Sequence, residues 1–447
     1  METHIKTPQV VFIQPQRLVV PLFQRPYVWN EELQWQPLWD DVERQAIRIL
    51  EDGPAGLTPH FLGAVVLQQS QISLGGLQEW TVIDGQQRLT TLQLLIDAVH
   101  AAILSVGCTS SAEQLRDAVE NPEAFRRHRL DRFKVWPTNH DQEAFEEVMA
   151  AEPPVDYGSL THRRSRMAEG HQFFFEAALA YLGTGEDARF RGDQLALALL
   201  HALQLVVIQL SADENAQEIF ETLNARGTPL TPADLVKNLV FQRLAVDGED
   251  TERAYRESWQ RFETPFWDQT ISQGRLKGPR LSAFLNHWLV AETGHEVVSG
   301  EVFRVFKRYL DSTSRPLVGL LKDLVREAEA YREVATRAAS SEDLSDEALF
   351  LYRMQSLDVT VLTPLFLWIT NPSLPAIPDD QRAKALQSIE SWVVRRMLVG
   401  ATTKNYNRLQ GDLLTSLVGD DRARAGDLIQ EFLRTRTGYA SYWPDDG

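Results

Sequence analysis

The sequence predicts an α+β amino-terminal core followed by a mostly α-helical carboxy-terminal half. Three observations carry this expectation. Apolar, β-branched runs suited to strands occur at His60–Gln68, Thr81–Ile83 and Leu203–Leu210. A helical apolar period begins at Leu89 and continues through Leu92, Ile96 and Val99. From about residue 246 the pattern turns helical almost throughout, punctuated by Pro and Gly. The domains expected from this are an α+β core over 1–108, a helical insertion with strands completing that core over 109–245, and a helical domain over 246–447.

The composition narrows the function classes. A chain of 447 residues with 43% hydrophobic and 24% charged residues can bury two or three ordinary cores. A net charge of −17 excludes a protein that coats nucleic acid without specificity, so any DNA contact must be focal. The single cysteine, Cys108, excludes a disulfide framework and a thiolate-rich zinc site, and it fits a reducing compartment. No basic leader precedes an apolar run, and no stretch of membrane-spanning length occurs, so the expectation is a cytoplasmic chain that is not membrane-inserted.

In chain order, residues 9–23 alternate apolar clusters with Pro15 and Pro21 and read as strand edges. The segment Phe23–Asn30 (FQRPYVWN) is a Pro-interrupted loop that presents Gln24, Arg25, Tyr27 and Trp29 to a ligand, or packs its two aromatic rings beneath itself. Glu31–Leu50 reads as a helix. His60–Gln68 and the strand ending at Ile83 form a hairpin through Gly75-Gly76. Gly63 inside a strand marks a close approach by some other group or by a packed helix.

The organising stretch is Trp80–Val99, WTVIDGQQRLTTLQLLIDAV. Asp84 to Arg88 forms a polar loop between a strand's C-terminal end and a helix N-terminus. Unpaired amides and the helix dipole favour an anion there, Gly85 allows close backbone approach, and Arg88 supplies a forked cation. The loop therefore reads as a phosphate site for a nucleotide. A capping box between Asp84 and Gln87 is the purely structural alternative. No GxxxxGK[ST] string occurs, which excludes a P-loop.

Further on, basic residues cluster at Arg126–Lys134, at Arg163, Arg164 and Arg166, and at Arg395, Arg396, Lys404 and Arg408. Each is either a solvated face or a nucleic-acid contact. In Asp213–Phe241 a helix ends near Asn224 with Gly227 as its stop. Thr231 caps the next helix, with Pro232 in its first turn and Asp234 three residues on. Asn224, Arg226 and Lys237 are secondary phosphate candidates.

With these blocks placed, the chain resembles the GmrSD-type restriction family, specifically its amino-terminal DGQQR domain, and is similar to the phosphorothioate-sensing SspE proteins. The matching blocks are FQRPYVW (Phe23–Trp29), FLGAVVL (Phe61–Leu67), IDGQQRLTTL (Ile83–Leu92), FETLNARGTPLTPADLVKN (Phe220–Asn238) and ESWVVRRML around Trp392. The resemblance implies a core like ParB and sulfiredoxin in which the Gln24–Arg25 loop and the DGQQR loop face one nucleotide pocket. It implies hydrolysis of a nucleoside triphosphate (GTP, ATP or CTP), with Mg²⁺ as a candidate cofactor, coupled to recognition of modified DNA in bacterial defence against phage. On that reading Asp84, Gln86, Gln87 and Arg88 are catalytic, while Gln24, Arg25, Gly85 and Thr91 hold the nucleotide. Tyr27, Trp29, Arg163, Arg164, Arg395 and Lys404 sense the modified DNA. Complete members of the family carry a carboxy-terminal HNH-type nuclease domain. This sequence stops near where one would begin, so the expectation is a fragment or a chain that works with a separate nuclease subunit; the oligomeric state is open. Two alternatives remain: a reader of modified DNA that does not hydrolyse nucleotide, and a nicking nuclease.

Overall fold

A computed structural model describes residues 1–53, 59–70, 77–185, 187–211, 214, 231–273, 276–340, 345–417 and 422–444. The chain divides into two compact units, Met1–Thr228 and Pro229–Gly447.

The first unit is built on a mixed six-stranded sheet. Its strands are β1 (Glu2–Lys6), β2 (Gln16–Val19), β3 (His60–Gln69), β4 (Gln78–Asp84), β5 (Val135–Trp136) and β6 (Leu203–Leu210), in the order β1-β6-β3-β4-β2-β5. The central strand β3 runs parallel to β6 and antiparallel to β4. Val65, Val66 and Leu67 are buried, as β-branched and aliphatic residues in a twice-flanked strand should be. The three expected strand runs all join this one sheet. The expected Gly75-Gly76 turn lies outside the described residues.

Around the sheet stand α1 (Pro8–Phe12), α2 (Gln36–Asp52), α3 (Gln86–Ser105), α4 (Thr109–Val119), α5 (Asn139–Met149), α6 (Arg166–Leu182) and α7 (Asp187–Leu197). A π-helical turn, Glu31–Trp35, leads into α2. Two expectations are corrected here. Residues 9–23 are strand only over Gln16–Val19. Pro8–Phe12 is a helical turn instead, because Pro8 is preset for the first position and Val11 and Phe12 are buried from it. Helix α3, expected to show one apolar stripe, is buried nearly all round between α4 and α6. Its polar residues Thr90, Thr91 and Gln93 are interior; Thr91 donates to the Gln87 carbonyl and Gln93 to the Ala118 carbonyl at 3.1 Å.

The second unit is predominantly helical, with helices that include Pro232–Val246, Arg280–Thr293, Leu317–Ser340, Asp379–Leu398 and Tyr406–Leu417. Thr231 and Asp234 form the expected capping box at the first of these. A two-stranded ribbon, Thr270–Gln273 with Leu276–Pro279, was not signalled by the sequence pattern.

What positions the candidate site is the joint between β4 and α3. Gly85 alone connects them, at φ 91°, and a Cβ added to it would lie 2.6 Å from Val65 Cγ1. Left-handed backbone and overpacking both penalise any side chain there. Gly85→Ala should therefore destabilise the protein by ~2–4 kcal/mol in urea denaturation. A loss below ~0.5 kcal/mol, the range of neutral surface changes, would contradict this account of the joint.

Candidate nucleotide site

The polar loop expected at Asp84–Arg88 is shorter than the sequence suggested. Strand β4 runs through Asp84, and α3 starts at Gln86. Gln86, Gln87 and Arg88 thus form the helix's first turn. The first intrahelical bond is Leu89 N–H to the Gly85 carbonyl, and no side chain caps the helix. The amides that begin this 20-residue helix carry the positive end of its dipole with no side-chain cap, and Asp84, which takes the Gly85 amide, is the carboxyl beside them.

The capping-box alternative is not what Gln87 does. Its carboxamide oxygen accepts from Val28 N–H at 2.8 Å, and its NH₂ donates to the Pro26 carbonyl at 3.1 Å. Gln86 donates to the Arg25 carbonyl at 3.2 Å. Gln24 donates to the carbonyls of Val82 and Ile83 at 2.7 and 3.1 Å. Three carboxamides thus bind residues 24–28 against the end of β4 and the start of α3. The Gln86 carboxamide oxygen is buried and has no hydrogen-bond partner among the described residues.

This clasp brings three charges together. Burial raises the Asp84 carboxyl above its usual range; the Gly85 amide, Arg88 and Arg25 pull the other way without cancelling it. Burial likewise lowers the Arg88 guanidinium, against the opposing pull of Asp84. Arg88 Nη1 donates to the Ala64 carbonyl at 2.5 Å, one of five N–H donors on the group. The guanidinium lies over Gly63, where an added Cβ would meet its Cζ at 2.9 Å and where φ is 105°. The close approach that Gly63 signalled is this one. The Ala64 carbonyl as an anchor for Arg88 had no signal in the sequence. Nor did Asp141, which accepts the Tyr27 amide at 2.8 Å and steadies the clasp from α5.

Other residues expected at the site are interior or elsewhere. Tyr27 is buried, with its hydroxyl 2.6 Å from Thr91 Oγ1 and accepting from Trp35 Nε1 at 2.8 Å. Burial drives its ionisation well above the normal tyrosine range. Thr91 is fully buried and donates to the Gln87 carbonyl at 2.7 Å. Neither side chain presents itself to a phosphate or a DNA surface; both hold the clasp from inside, because the all-round burial of α3 turns Thr91 inward. Trp29 is half-buried against the same core. Arg163 and Arg164 are exposed on the turn before α6.

In the second unit, Lys237 is buried and paired with Glu263 at 3.1 Å. Asn224 and Arg226 lie outside the described residues. Of the basic residues around Trp392, Lys404 and Arg408 are exposed, Arg395 is half-buried and Arg396 is interior. Arg396 is fully buried, donates to the carbonyls of Tyr442, Thr402 and Ala440 at 3.1, 2.9 and 3.0 Å, and sits against Trp392, Tyr406 and Tyr442. Arg395 donates to Ser391 Oγ and the Pro444 carbonyl. Lys404 is exposed.

Most of the densest basic cluster is paired or buried. Arg126 and Arg132 both bond to Glu120, at 2.7 and 2.8 Å, and Lys134 is fully buried against the Gln14 carbonyl, with burial lowering it to about 8. Burial resists ionisation of Glu120, but Arg132 and Arg126 outweigh it and hold the carboxyl below its ordinary value of 4.5. A depressed carboxyl pKa adds stability above the unfolded-state value that is lost as pH falls through the folded one. Glu120→Gln should cost ~1.5–3 kcal/mol near pH 7, and its gap from the wild type should narrow as pH falls below the ordinary glutamate range. A gap independent of pH in urea melts would rule this pairing out.

Among the described residues, no helix is long and apolar enough to cross a membrane, and no three His, Cys, Asp or Glu side chains are grouped to hold a metal ion. A comparison with curated proteins finds no match. The family model described as the GmrSD restriction endonuclease, N-terminal domain, matches residues 9–241, a span that contains the clasp, the Gly85 joint and five of the six strands of the sheet, β2 to β6. The chain belongs to the GmrSD restriction endonuclease family.

Proposed function

We propose that this chain is the nucleotide-hydrolysing, modified-DNA-sensing component of its restriction system. The observation that carries the reading is an uncapped helix N-terminus placed beside two arginines and one carboxylate by a dedicated clasp. Triphosphate oxygens would lie on the amides of Gln86, Gln87 and Arg88, and the helix dipole would favour their charge. Arg88 and Arg25 would neutralise charge that develops on the transferred phosphoryl group. Gln86 suits the task of orienting the attacking water, since its carboxamide oxygen is unpartnered whereas the carboxamide of Gln87 is committed to Pro26 and Val28.

Mg²⁺ fits this arrangement as an ion held partly by substrate phosphates, with Asp84 as a protein carboxylate. A cation there would relieve the desolvation that now raises Asp84. Bound, it would add charge stabilisation at the phosphates. Coupling to DNA would be focal, given the net charge of −17, with exposed Arg163, Arg164 and Lys404 as cations able to meet a backbone. DNA cleavage would be supplied by an HNH-type nuclease domain or subunit.

The test is phosphate release from the four ribonucleoside triphosphates, with and without modified DNA. Arg88→Ala should lower turnover at least ~10²-fold, and Gln86→Leu should lower it ~10²-fold in a protein that remains folded. Full turnover by a folded Arg88→Ala protein refutes the assignment. Salt-steep DNA binding without turnover would point instead to a reader that does not hydrolyse nucleotide.

A further inference from the structure

The second unit carries an exposed apolar tip, beyond the residues matched by the family model. Helix Asp379–Leu398 ends with Val394, Met397 and Leu398 at i, i+3 and i+4, which places them on one stripe, and Val399 follows as the C-cap. Their exposures are 38, 43, 81 and 53%. An amphipathic helix ordinarily turns such a stripe to the core, and a contiguous exposed one signals a contact.

The tip is held in shape by its own backbone. Gly400 N–H donates to the Met397 carbonyl at 3.0 Å and Ala401 N–H to the Arg396 carbonyl at 2.8 Å, a Schellman motif with Gly400 at φ 65°. The buried Arg396 then ties the turn to the polypeptide beneath it, since it donates to the carbonyls of Thr402, Ala440 and Tyr442. A tip fixed before contact loses little entropy on binding.

Its surroundings are cationic in a chain of net charge −17. From Ser391 to Gly411 there are four basic residues and no Asp or Glu. Lys404 and Arg408 are exposed, with Thr403 and Asn405 beside Lys404, and neither cation forms an ion pair among the described residues. Glu296 reaches the stretch from outside it and accepts from Asn407 at 2.7 Å. Ammonium, guanidinium, hydroxyl and carboxamide groups are those that take phosphate and sugar oxygens.

Size decides the partner. Four apolar side chains fall far short of the ~20–30 residues a side of a stable protein–protein interface. A wedge that enters a base step needs only one or two such side chains, flanked by cations. Membership of a restriction endonuclease family supplies the duplex.

We propose that this tip binds duplex DNA, with Leu398 and Met397 entering a base step as an apolar wedge and Lys404 and Arg408 holding the flanking phosphates. The proposal rests on the DNA-sensing reading above in requiring that a duplex bind, and it is independent of nucleotide hydrolysis.

The test uses the full chain and a short duplex labelled at its two ends with a donor–acceptor pair, read by anisotropy and by energy transfer. Wild type should bind and raise energy transfer, as a kink of ~20–90° brings the ends together. Leu398→Ser, at an exposed position, should keep the wild-type melting temperature and leave energy transfer at the free-duplex value when the duplex is saturated. Lys404→Ala and Arg408→Ala should each weaken binding and reduce the slope of log affinity against log salt by ~1. Binding without a rise in energy transfer, a wild-type rise in Leu398→Ser, or a wild-type salt slope in both cation variants would overturn the proposal. So would capture of the chain by anionic phosphatidylglycerol vesicles in preference to duplex. Duplex binding that none of the three substitutions alters refutes the tip alone, whereas a wild-type chain that binds no duplex refutes the DNA-sensing reading with it.

Discussion

The amino-terminal site depends on one backbone conformation, the left-handed Gly85 between β4 and α3. A single residue in that region reverses the chain direction so sharply that the helix begins directly off the strand end. Val65 packs where a Cβ would be, so the turn is fixed by both conformation and contact. The consequence is electrostatic. With glycine as the N-cap, no side chain caps the helix, and the positive end of 20 residues faces Asp84 and the two arginines.

Around that turn the protein uses neutral amides as fasteners and keeps its charges separate. Gln86 and Gln87 pair backbone groups of an irregular, proline-containing segment that does not enter the sheet ladder, and Gln24 of that segment donates to two carbonyls of β4. Burying a hydrogen-bonded carboxamide is far less costly than burying an ion. Asp84, Arg88 and Arg25 are left as the charged groups of the site, with the Asp84 carboxyl within reach of both arginines' fields. The clasp therefore does two tasks: it orders residues 24–28, and it delivers Arg25 to the helix N-terminus. Tyr27, bonded to Thr91 and Trp35, locks the same segment from the core side.

The arginines illustrate why charge density along a chain is a weak guide to a binding face. Arg126 and Arg132 are spent on Glu120, and Arg396 satisfies three carbonyls of the polypeptide near its carboxy-terminal end. A guanidinium with five donors in one plane is suited to gathering carbonyls that no secondary structure satisfies. Its aromatic neighbours Trp392, Tyr406 and Tyr442 supply the faces on which such a group can be buried.

What the sequence by itself determined was everything governed by near neighbours: the strand runs that joined one sheet, the capping box at Thr231 and Asp234, the helical second half, and the strings that resemble the GmrSD family. Periodicity, caps and turns are set by residues a few positions apart, so they can be read directly. Tertiary structure decided the rest. It made Pro8–Phe12 helical, buried α3 nearly all round, reduced a five-residue loop to Gly85, turned Tyr27 and Thr91 inward, and hid Arg396. Each of those outcomes depends on a partner far along the chain, such as Ala64 for Arg88, Pro26 for Gln87 or Tyr442 for Arg396. A side chain's role is set by which distant group folding brings against it, and local pattern carries no record of that group.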